Sequence, residues 1–409
     1  MTQPSWTLSS VWVTNFPWIF NLFGINLSCL TLIIYIVLGA ILAVVPIIYL
    51  FTAIASIFKR ERIIPNEKKN LPTVTIIVPT YNEEKTIERA LNSLSKLNYP
   101  QNKIEFVFVD DSTDSTFEII EKKTRNWKNT RRIKHEKRLT KAYGLNEALS
   151  VSKGEIVIVY DADCIINPDA VKHLVRHFDK PEVVAVQGRY EAEGLNTLNR
   201  VVDLEYTLWQ GGQLVAAPVL IGYNYAVRRS YLEKTGGWDP KMLAEDHELW
   251  YRIYADGYKI VYTDKPGVRV LEPQTLSDFI RQRRRWSKGS DQATAKYSHL
   301  GLKMFPKPRI VNFLSFSARY IAPSLNAVCL TLLPITLVLG LFYYEVLPLF
   351  VLCLGTCLWI NMGALIFCIR LGKPRLWLYF APLSFLVLYQ NILFFRVRRK
   401  EVAWEKTQK

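Results

Sequence analysis

Glu155-Ile-Val-Ile-Val-Tyr160-Asp161-Ala162-Asp163 is the stretch from which the fold can be read. Its apolar run is a buried strand that surfaces into a loop at two carboxylates one residue apart. Strand residues alternate faces, so positions i and i+2 point the same way and both oxygens can serve one hard divalent cation held against a phosphate. An Asp-rich turn after a strand has the same appearance. The company of the pair favours chemistry. Asp110-Asp111 ends an earlier apolar strand, Glu245-Asp246 lies downstream, and Gln282-Arg-Arg-Arg285-Trp286 closes the soluble region.

Working outward, Thr73 to Val78 and Ile104 to Val109 are two more apolar strands. Glu83 to Leu97 places Ile87, Ala90, Leu91, Leu94 and Leu97 at helical spacing. Ser115 with Glu118 three residues on has capping-box spacing, and Pro168 opens another helix. Strands alternating with helices define an α/β domain, here residues 71–274. In such sheets ligands gather at the carboxyl ends of the strands, where Pro79-Thr80-Tyr81, Asp110-Asp111 and Asp161-Asp163 all fall.

The domain sits between membrane segments. The first 58 residues carry no charged side chain, and about 27–58 is apolar enough to cross a bilayer. Its length and missing basic leader distinguish it from a cleaved signal. Trp6, Trp12 and Trp18 precede it as an interfacial belt. Lys59, Arg60, Arg62, Lys68 and Lys69 follow in the linker, residues 59–70. By the positive-inside rule the N-terminus lies outside the plasma membrane and the α/β domain is cytoplasmic. Residues 275–310 are basic and amphipathic, as in a helix lying on the membrane. Within 311–409, Tyr320 to Tyr344 and Val346 to Ile369 read as spans. Leu376 to Phe395 is a third apolar segment of open topology, because basic residues flank it on both sides and Pro382 interrupts it.

The 52 basic against 36 acidic residues give a formal charge of +16. Membrane segments and the lack of a nucleic-acid fold signature exclude nucleic acid as the partner. The basic run Lys122 to Lys141 then faces lipid headgroups, nucleotide phosphate or only solvent. Six scattered cysteines without a Cys-x-x-Cys pair read as reduced, structural thiols, with Cys353 and Cys357 on one helical face. His173 and His177 have zinc-like spacing, but Leu174 stands where a metalloprotease needs Glu, so they read as an exposed structural pair.

The motifs Val78-Pro-Thr-Tyr-Asn-Glu-Glu84, Val109-Asp-Asp-Ser-Thr-Asp114, Lys141-Ala-Tyr-Gly-Leu-Asn-Glu-Ala-Leu149, Asp161-Ala-Asp163, Gly222-Tyr-Asn-Tyr-Ala-Val-Arg-Arg229, Glu245-Asp246 and Gln282-Arg-Arg-Arg-Trp286 occur in this order. In that set the chain resembles the membrane-bound family-2 glycosyltransferases of the GT-A fold, which include cellulose, chitin and hyaluronan synthases and ceramide glucosyltransferase. The resemblance implies a nucleotide pocket of Pro79, Thr80, Tyr81, Glu83 and Asp111, with Lys141 near the base or phosphates. It places Asp161 by ribose or donor sugar and makes Asp163 the first ligand of Mg²⁺ or Mn²⁺, with Asp161 beside it. It makes Asp246, next to Glu245, the base that deprotonates the acceptor. Such a base contributes on the order of 10²–10⁴-fold. Gln282, Arg285 and Trp286 lie within one helical turn and can face a common opening, Arg285 toward the diphosphate and Trp286 toward an acceptor sugar. Helix-start acids at residues 245–246 and a Trp-anchored interfacial helix are the plainer readings of those motifs. Asn224, Arg228 and Arg229 are candidates for the acceptor side or for packing. Where the family usually has Thr, Ala244 precedes Glu245.

The expected function is inverting, metal-dependent transfer of a hexose or N-acetylhexosamine from a UDP-sugar to a growing polysaccharide. Single-sugar addition to a lipid, or a catalytically silent membrane scaffold, are the alternatives.

Overall fold

The computed structural model describes residues 27–59, 71–194 and 196–397; the Trp6, Trp12 and Trp18 belt and most of the 59–70 linker lie outside these residues. Eight strands, β1 (Val74–Thr80), β2 (Ile104–Asp110), β3 (Thr130–Lys134), β4 (Ile156–Val159), β5 (Cys164–Ile166), β6 (Val183–Glu193), β7 (Tyr225–Arg228) and β8 (Lys259–Leu271), form one sheet. Their order is β3-β2-β1-β4-β7-β6-β8-β5. The first four in that order run parallel, whereas β7 is antiparallel to both β4 and β6. Register sets Ile77 opposite Val107 and Val159. Ile76, Val78, Phe108 and Ile158 belong to the core on one face of the sheet; Ile77, Val107, Val157 and Val159 belong to the core on the other. Burial on both faces is why these strands read as unbroken apolar runs.

One face is covered by α2 (Ile87–Leu94), α3 (Thr116–Thr124), α5 (Ala170–Val175) and α6 (Thr197–Gln213). The other is covered by α4 (Lys141–Val151) and α8 (Glu245–Ala255), with α7 (Arg229–Thr235) beside them. The expected capping box is absent. Ser115 makes no side-chain cap, the Asp114 carboxylate accepts from Thr116 N at 3.0 Å instead, and Glu118 pairs with Lys134. Asp114 wins because it already reaches across to Glu84 N, so one side chain fixes both loops.

Among the described residues three helices are long and apolar enough to cross a membrane: α1 (Leu27–Phe58), over its part Gly39–Phe58, α10 (Arg309–Phe342) and α11 (Leu347–Arg370). The first of the two expected C-terminal spans therefore starts earlier than its apolar run, at Arg309. The third apolar segment is a short 3₁₀ turn, Pro374–Tyr379, followed by α12 (Phe380–Val397). Pro382 does not break α12 because it stands in the first turn, where no backbone donor is lost.

Helix α6 joins the sheet to these helices. Its Val201, Leu204 and Leu208 share a core with Tyr49, Ala318, Phe367 and Phe380. A Cβ on Gly211 would lie 2.3 Å from the Phe367 ring, so only glycine permits this approach. Polar ties complete the joint, with Lys373 Nζ 2.8 Å from Asp203 and Arg370 Nη2 2.8 Å from Asp264. Helix α9 (Leu276–Tyr297) buries Phe279, Gln282, Gly289, Ala293 and Tyr297 and packs on α8 and α12.

Candidate active site

The two strands that end side by side, Thr80 opposite Asp110, shape the first half of the site. Asp110 is fully buried and accepts from Thr80 Oγ1 and Ser112 Oγ, each at 2.5 Å, so it fixes the turn rather than facing a ligand. Asn82 takes a left-handed conformation (φ 55°), donates its N–H to Ser112 Oγ and accepts from Thr113 N, which staples the two strand-end loops together. Glu83 accepts from Thr86 Oγ1 at 2.5 Å, and Arg138 lies over the Tyr81 ring at 4.5 Å. Pro79 is a half-buried residue of β1.

Asp111 is held on both oxygens, by His135 Nδ1 at 2.6 Å and by Leu139 N at 2.8 Å. The other His135 nitrogen meets Glu147 Oε2 at 2.5 Å. Burial disfavours charge on the imidazole, but the two carboxylates outweigh it and raise its pKa. His135 escaped the sequence reading because its partners lie 24 residues before it and 12 after it.

From Leu139 the chain enters α4, whose first residue, Lys141, anchors the second half. Its Nζ lies 2.7 Å from Asp161 Oδ1, 3.3 Å from Glu245 Oε1 and 2.8 Å from Gly222 O. Burial opposes its charge, yet Asp161 and Glu245 hold its pKa well above the usual lysine value. For Glu245, burial raises the pKa and Asp246 adds to it, while Lys141 opposes. Asp246, in the first turn of α8, lines the cavity, and its carboxylate has no hydrogen-bond partner among the described residues. Ala244 leaves the start of α8 without a side-chain cap.

Asp161 and Asp163 do not lie on the strand. β4 ends at Val159, Ala162 and Asp163 form a turn, and β5 starts at Cys164. The alternation argument for their common direction therefore fails, because the chain must reverse at once to pair β5 with β8. Asp161 lines the main cavity and Asp163 does not. Among the described residues no three His, Cys, Asp or Glu side chains gather into a ready-made metal cage. Two hard carboxylates on one turn nevertheless suit Mg²⁺ or Mn²⁺, which needs only one or two protein oxygens when phosphates and water complete its shell. In chemistry, though not as a preformed cage, these two residues fit such an ion, which Asp161 and Asp163 would hold.

The cavity has a volume of about 310 Å³ and gathers Lys141, Asp161, Glu245 and Asp246 with Gln282, Arg285 and Trp286 of α9. Gln282 Oε1 is buried without a partner. Arg285 lines the same cavity as Glu245, Asp161 and Asp246, and burial lowers its pKa against the pull of these three carboxylates. Arg283 stacks on Trp286 at 4.3 Å and pairs with Glu205 at 2.5 Å, so at most the opposite face of Trp286 can serve a sugar. Beyond Trp286 the same cavity runs to Phe316, Arg319, Tyr320 and Pro323 of α10 and to Leu383, Val387 and Gln390 of α12. This membrane-side wall was missed by the motif reading. One signal for it was an arginine, Arg319, beside an apolar span.

Three candidates lie elsewhere. Arg228 donates to Val183, Phe178 and Lys180 carbonyls, Arg229 donates to Gly154 O, and Asn224 is fully buried against Arg189 O; none lines the cavity. They hold β7 in the sheet. His177 is buried rather than exposed, because α5 packs that turn against β8.

The family described as Glycosyl transferase family group 2 matches residues 156–389, and Glycosyl transferase family 2 matches residues 75–236. The chain belongs to the family-2 glycosyltransferases. Among relatives, the probable glycosyltransferase YdaM of Bacillus subtilis is 32% identical over 64% of this chain and 66% of its own length. A β-monoglucosyldiacylglycerol synthase of Nostoc sp. is 30% identical over 61% and 56%, and a poly-β-1,6-N-acetyl-D-glucosamine synthase of Staphylococcus epidermidis 28% over 64% and 65%. The match thus spans less than two thirds of each relative. The solved mannosyltransferase PcManGT of Pyrobaculum calidifontis, in complex with GDP-Man and Mn²⁺, shares the fold, with a TM-score of 0.56 and 24% identity over 81% of this chain and 96% of that one. The fold is GT-A, with long apolar helices flanking the α/β domain.

Proposed function

We propose that this enzyme moves a hexose or N-acetylhexosamine, with inversion, from a UDP-sugar to a hydroxyl of an acceptor carried in the membrane, forming a β-linkage. The observation that carries the reading is the single cavity that holds Asp246 and Arg285 at one end and the flanks of α10 and α12 at the other. An acceptor reaching Asp246 from that end comes from the bilayer plane, so a lipid hydroxyl is the best fit. Polysaccharide elongation is the second reading, supported by the Gln282, Arg285 and Trp286 constellation and by one relative's name. The catalytic domain would face the cytoplasm at the plasma membrane, with the N-terminus outside, as the basic residues after α1 favour.

In this reading Asp111, clamped by His135 and Leu139 N, accepts from the uracil N–H. Tyr81 and Glu83 flank the base and ribose, and Lys141 holds Asp161 toward the donor. Asp161 and Asp163 would hold Mg²⁺ or Mn²⁺, which would match the charge of the diphosphate. Arg285 adds a fixed guanidinium for the charge that grows on the leaving group. Asp246 takes the acceptor proton as the hydroxyl attacks the anomeric carbon from the side opposite UDP. Its carboxylate, not committed to another side chain among the described residues, is available for that bond.

The test is UDP release by the detergent-purified protein from UDP-glucose, UDP-N-acetylglucosamine, UDP-glucuronate and UDP-galactose, with lipid and oligosaccharide acceptors supplied and GDP-mannose as competing donor. Release requiring Mn²⁺ or Mg²⁺, lost with EDTA and in Asp163→Asn and Asp246→Asn, is expected, with one sugar added to a lipid. A ladder of lengthening products would move the assignment to polysaccharide synthesis. Absence of release from every donor would overturn the enzymatic reading.

A further inference from the structure

At the membrane end of the cavity, hydrogen-bond donors stand without acceptors. Arg319 is 5% exposed, and among the described residues it forms no ion pair with a carboxylate. Its Nε donates to Ser315 O at 3.2 Å and Nη1 to Trp209 O at 3.4 Å, while Nη2 is buried without a partner. The guanidinium lies over the rings of Trp209 and Phe316 at 5.6 and 5.7 Å. Trp250 of α8 packs on the same Phe316, lines the cavity, and has its indole N–H buried without an acceptor. Tyr49 of α1, also lining the cavity, has a buried and unpartnered hydroxyl.

A buried cation facing no carboxylate is costly, and the aromatic faces offset only part of that cost. The chain has nevertheless made room for it. A Cβ on residue 212 would lie 2.0 Å from Arg319 Cδ, so Gly212 is what allows the side chain to lie there. An indole and a guanidinium can only donate, so the complementary ligand is rich in acceptor oxygens and negatively charged. A phosphate answers both requirements.

We infer that Arg319, with Trp250 and Tyr49, forms a subsite for the phosphate of a membrane lipid, so that the acceptor is a lipid whose headgroup carries both a phosphate and a free hydroxyl. This rests on the membrane-acceptor reading above and narrows it. The phosphate is held at Arg319, and the hydroxyl extends past Trp286 toward Asp246 through the same cavity.

Binding is measured without donor and without turnover, so the subsite is tested whether or not sugar transfer is found. The probes are short-chain phosphatidylglycerol, the matching neutral diacylglycerol and inorganic phosphate, titrated into the full-length protein in a neutral detergent and read by native mass spectrometry. Phosphatidylglycerol is expected to bind at least tenfold more tightly than diacylglycerol, with millimolar inorganic phosphate unable to displace it. Arg319→Gln is expected to lose that preference while UDP binding stays at the wild-type level, and Arg319→Lys to recover part of it. Equal binding of the neutral lipid by the wild-type protein overturns the inference without recourse to any variant. Displacement by inorganic phosphate overturns the lipid assignment. Retention of the preference in Arg319→Gln removes Arg319 from the site.

Discussion

Gly289→Ala tests whether the spacing between α8 and α9 sets the catalytic geometry. Gly289 sits on the buried face of α9, one turn beyond Arg285 and Trp286 and two beyond Gln282, and packs against the residue before Glu245-Asp246. A methyl group there would lie 2.6 Å from Ala244 Cβ, 2.8 Å from Ala244 N and 3.1 Å from Leu243 C. Two of these neighbours are backbone and cannot swing aside. Restoring ordinary contact, which begins at 3.4 Å, separates the helices locally by about 0.8 Å at the tightest point. Overpacking of this kind costs about 1–3 kcal/mol, and Gly→Ala within a helix returns about 1 kcal/mol, so the fold survives with a net loss of about 0–2 kcal/mol. Catalysis is less forgiving, because a misplacement of about 1 Å between reacting groups costs on the order of 10²-fold. The expected result is a kcat ten- to a hundredfold lower, measured by UDP release, with UDP affinity by calorimetry unchanged because Asp111, Tyr81 and Glu83 lie on other elements. Gly355→Ala on α11, which would meet nothing within 4 Å, is the neutral control. A Gly289→Ala enzyme with wild-type kcat, or one whose loss is wholly in UDP affinity, would refute the reasoning.

Three further outcomes follow from the same geometry. His135 bridges Asp111 and Glu147, and two carboxylates on one ring require both nitrogens protonated; Tyr143 is the remaining titratable neighbour, its ring 6.1 Å away. The His135 pKa is raised, so its stabilisation is complete below the unfolded value of about 6.5 and is lost as pH rises through the folded value. The donor KM should therefore climb across that window with kcat steady, and Glu147→Gln should move the climb to lower pH; a flat KM would sink this. Lys141→Met leaves Asp161 and Glu245 facing each other in a buried site without their cation. Breaking such a buried arrangement costs about 3–5 kcal/mol, relieved by proton uptake on Glu245, whose pKa is already raised, so the variant should be more stable at pH 5 than at pH 8 by thermal unfolding. Gly212→Ala should weaken lipid binding in step with Arg319→Gln, since its methyl displaces Arg319 Cδ, and a wild-type lipid affinity would count against the subsite.

The sheet was legible because β1, β2 and β4 are buried on both faces, which leaves no polar alternation to confuse them with helices. Loop chemistry was less so. Asp110 and Asp111 are identical in sequence, yet one is sealed under Thr80 and Ser112 and the other is held toward His135, a distinction made by contacts across loops. The same holds for Asp161 and Asp163, whose spacing suggests a shared direction that the immediate turn into β5 removes.

Arg319 shows where composition and position together carry more than a motif. Hydropathy placed a span from Tyr320 and so set the arginine just outside it; the helix in fact starts at Arg309, so the charge lies within α10. An arginine in the interior of a membrane helix must pair, reach the interface or serve a ligand. Arg319 has no carboxylate partner among the described residues and is buried; two of its nitrogens donate to the Ser315 and Trp209 carbonyls, and the proposed ligand answers the nitrogen left over, Nη2. The end of the cavity proposed for the donor is thus built from motifs that can be read one by one, and the end proposed for the acceptor from helices brought together by α6. On the proposed reading, specificity for the acceptor is set by residues far apart in the chain, Tyr49, Trp250 and Arg319, which line one cavity because the α/β domain packs on the long apolar helices.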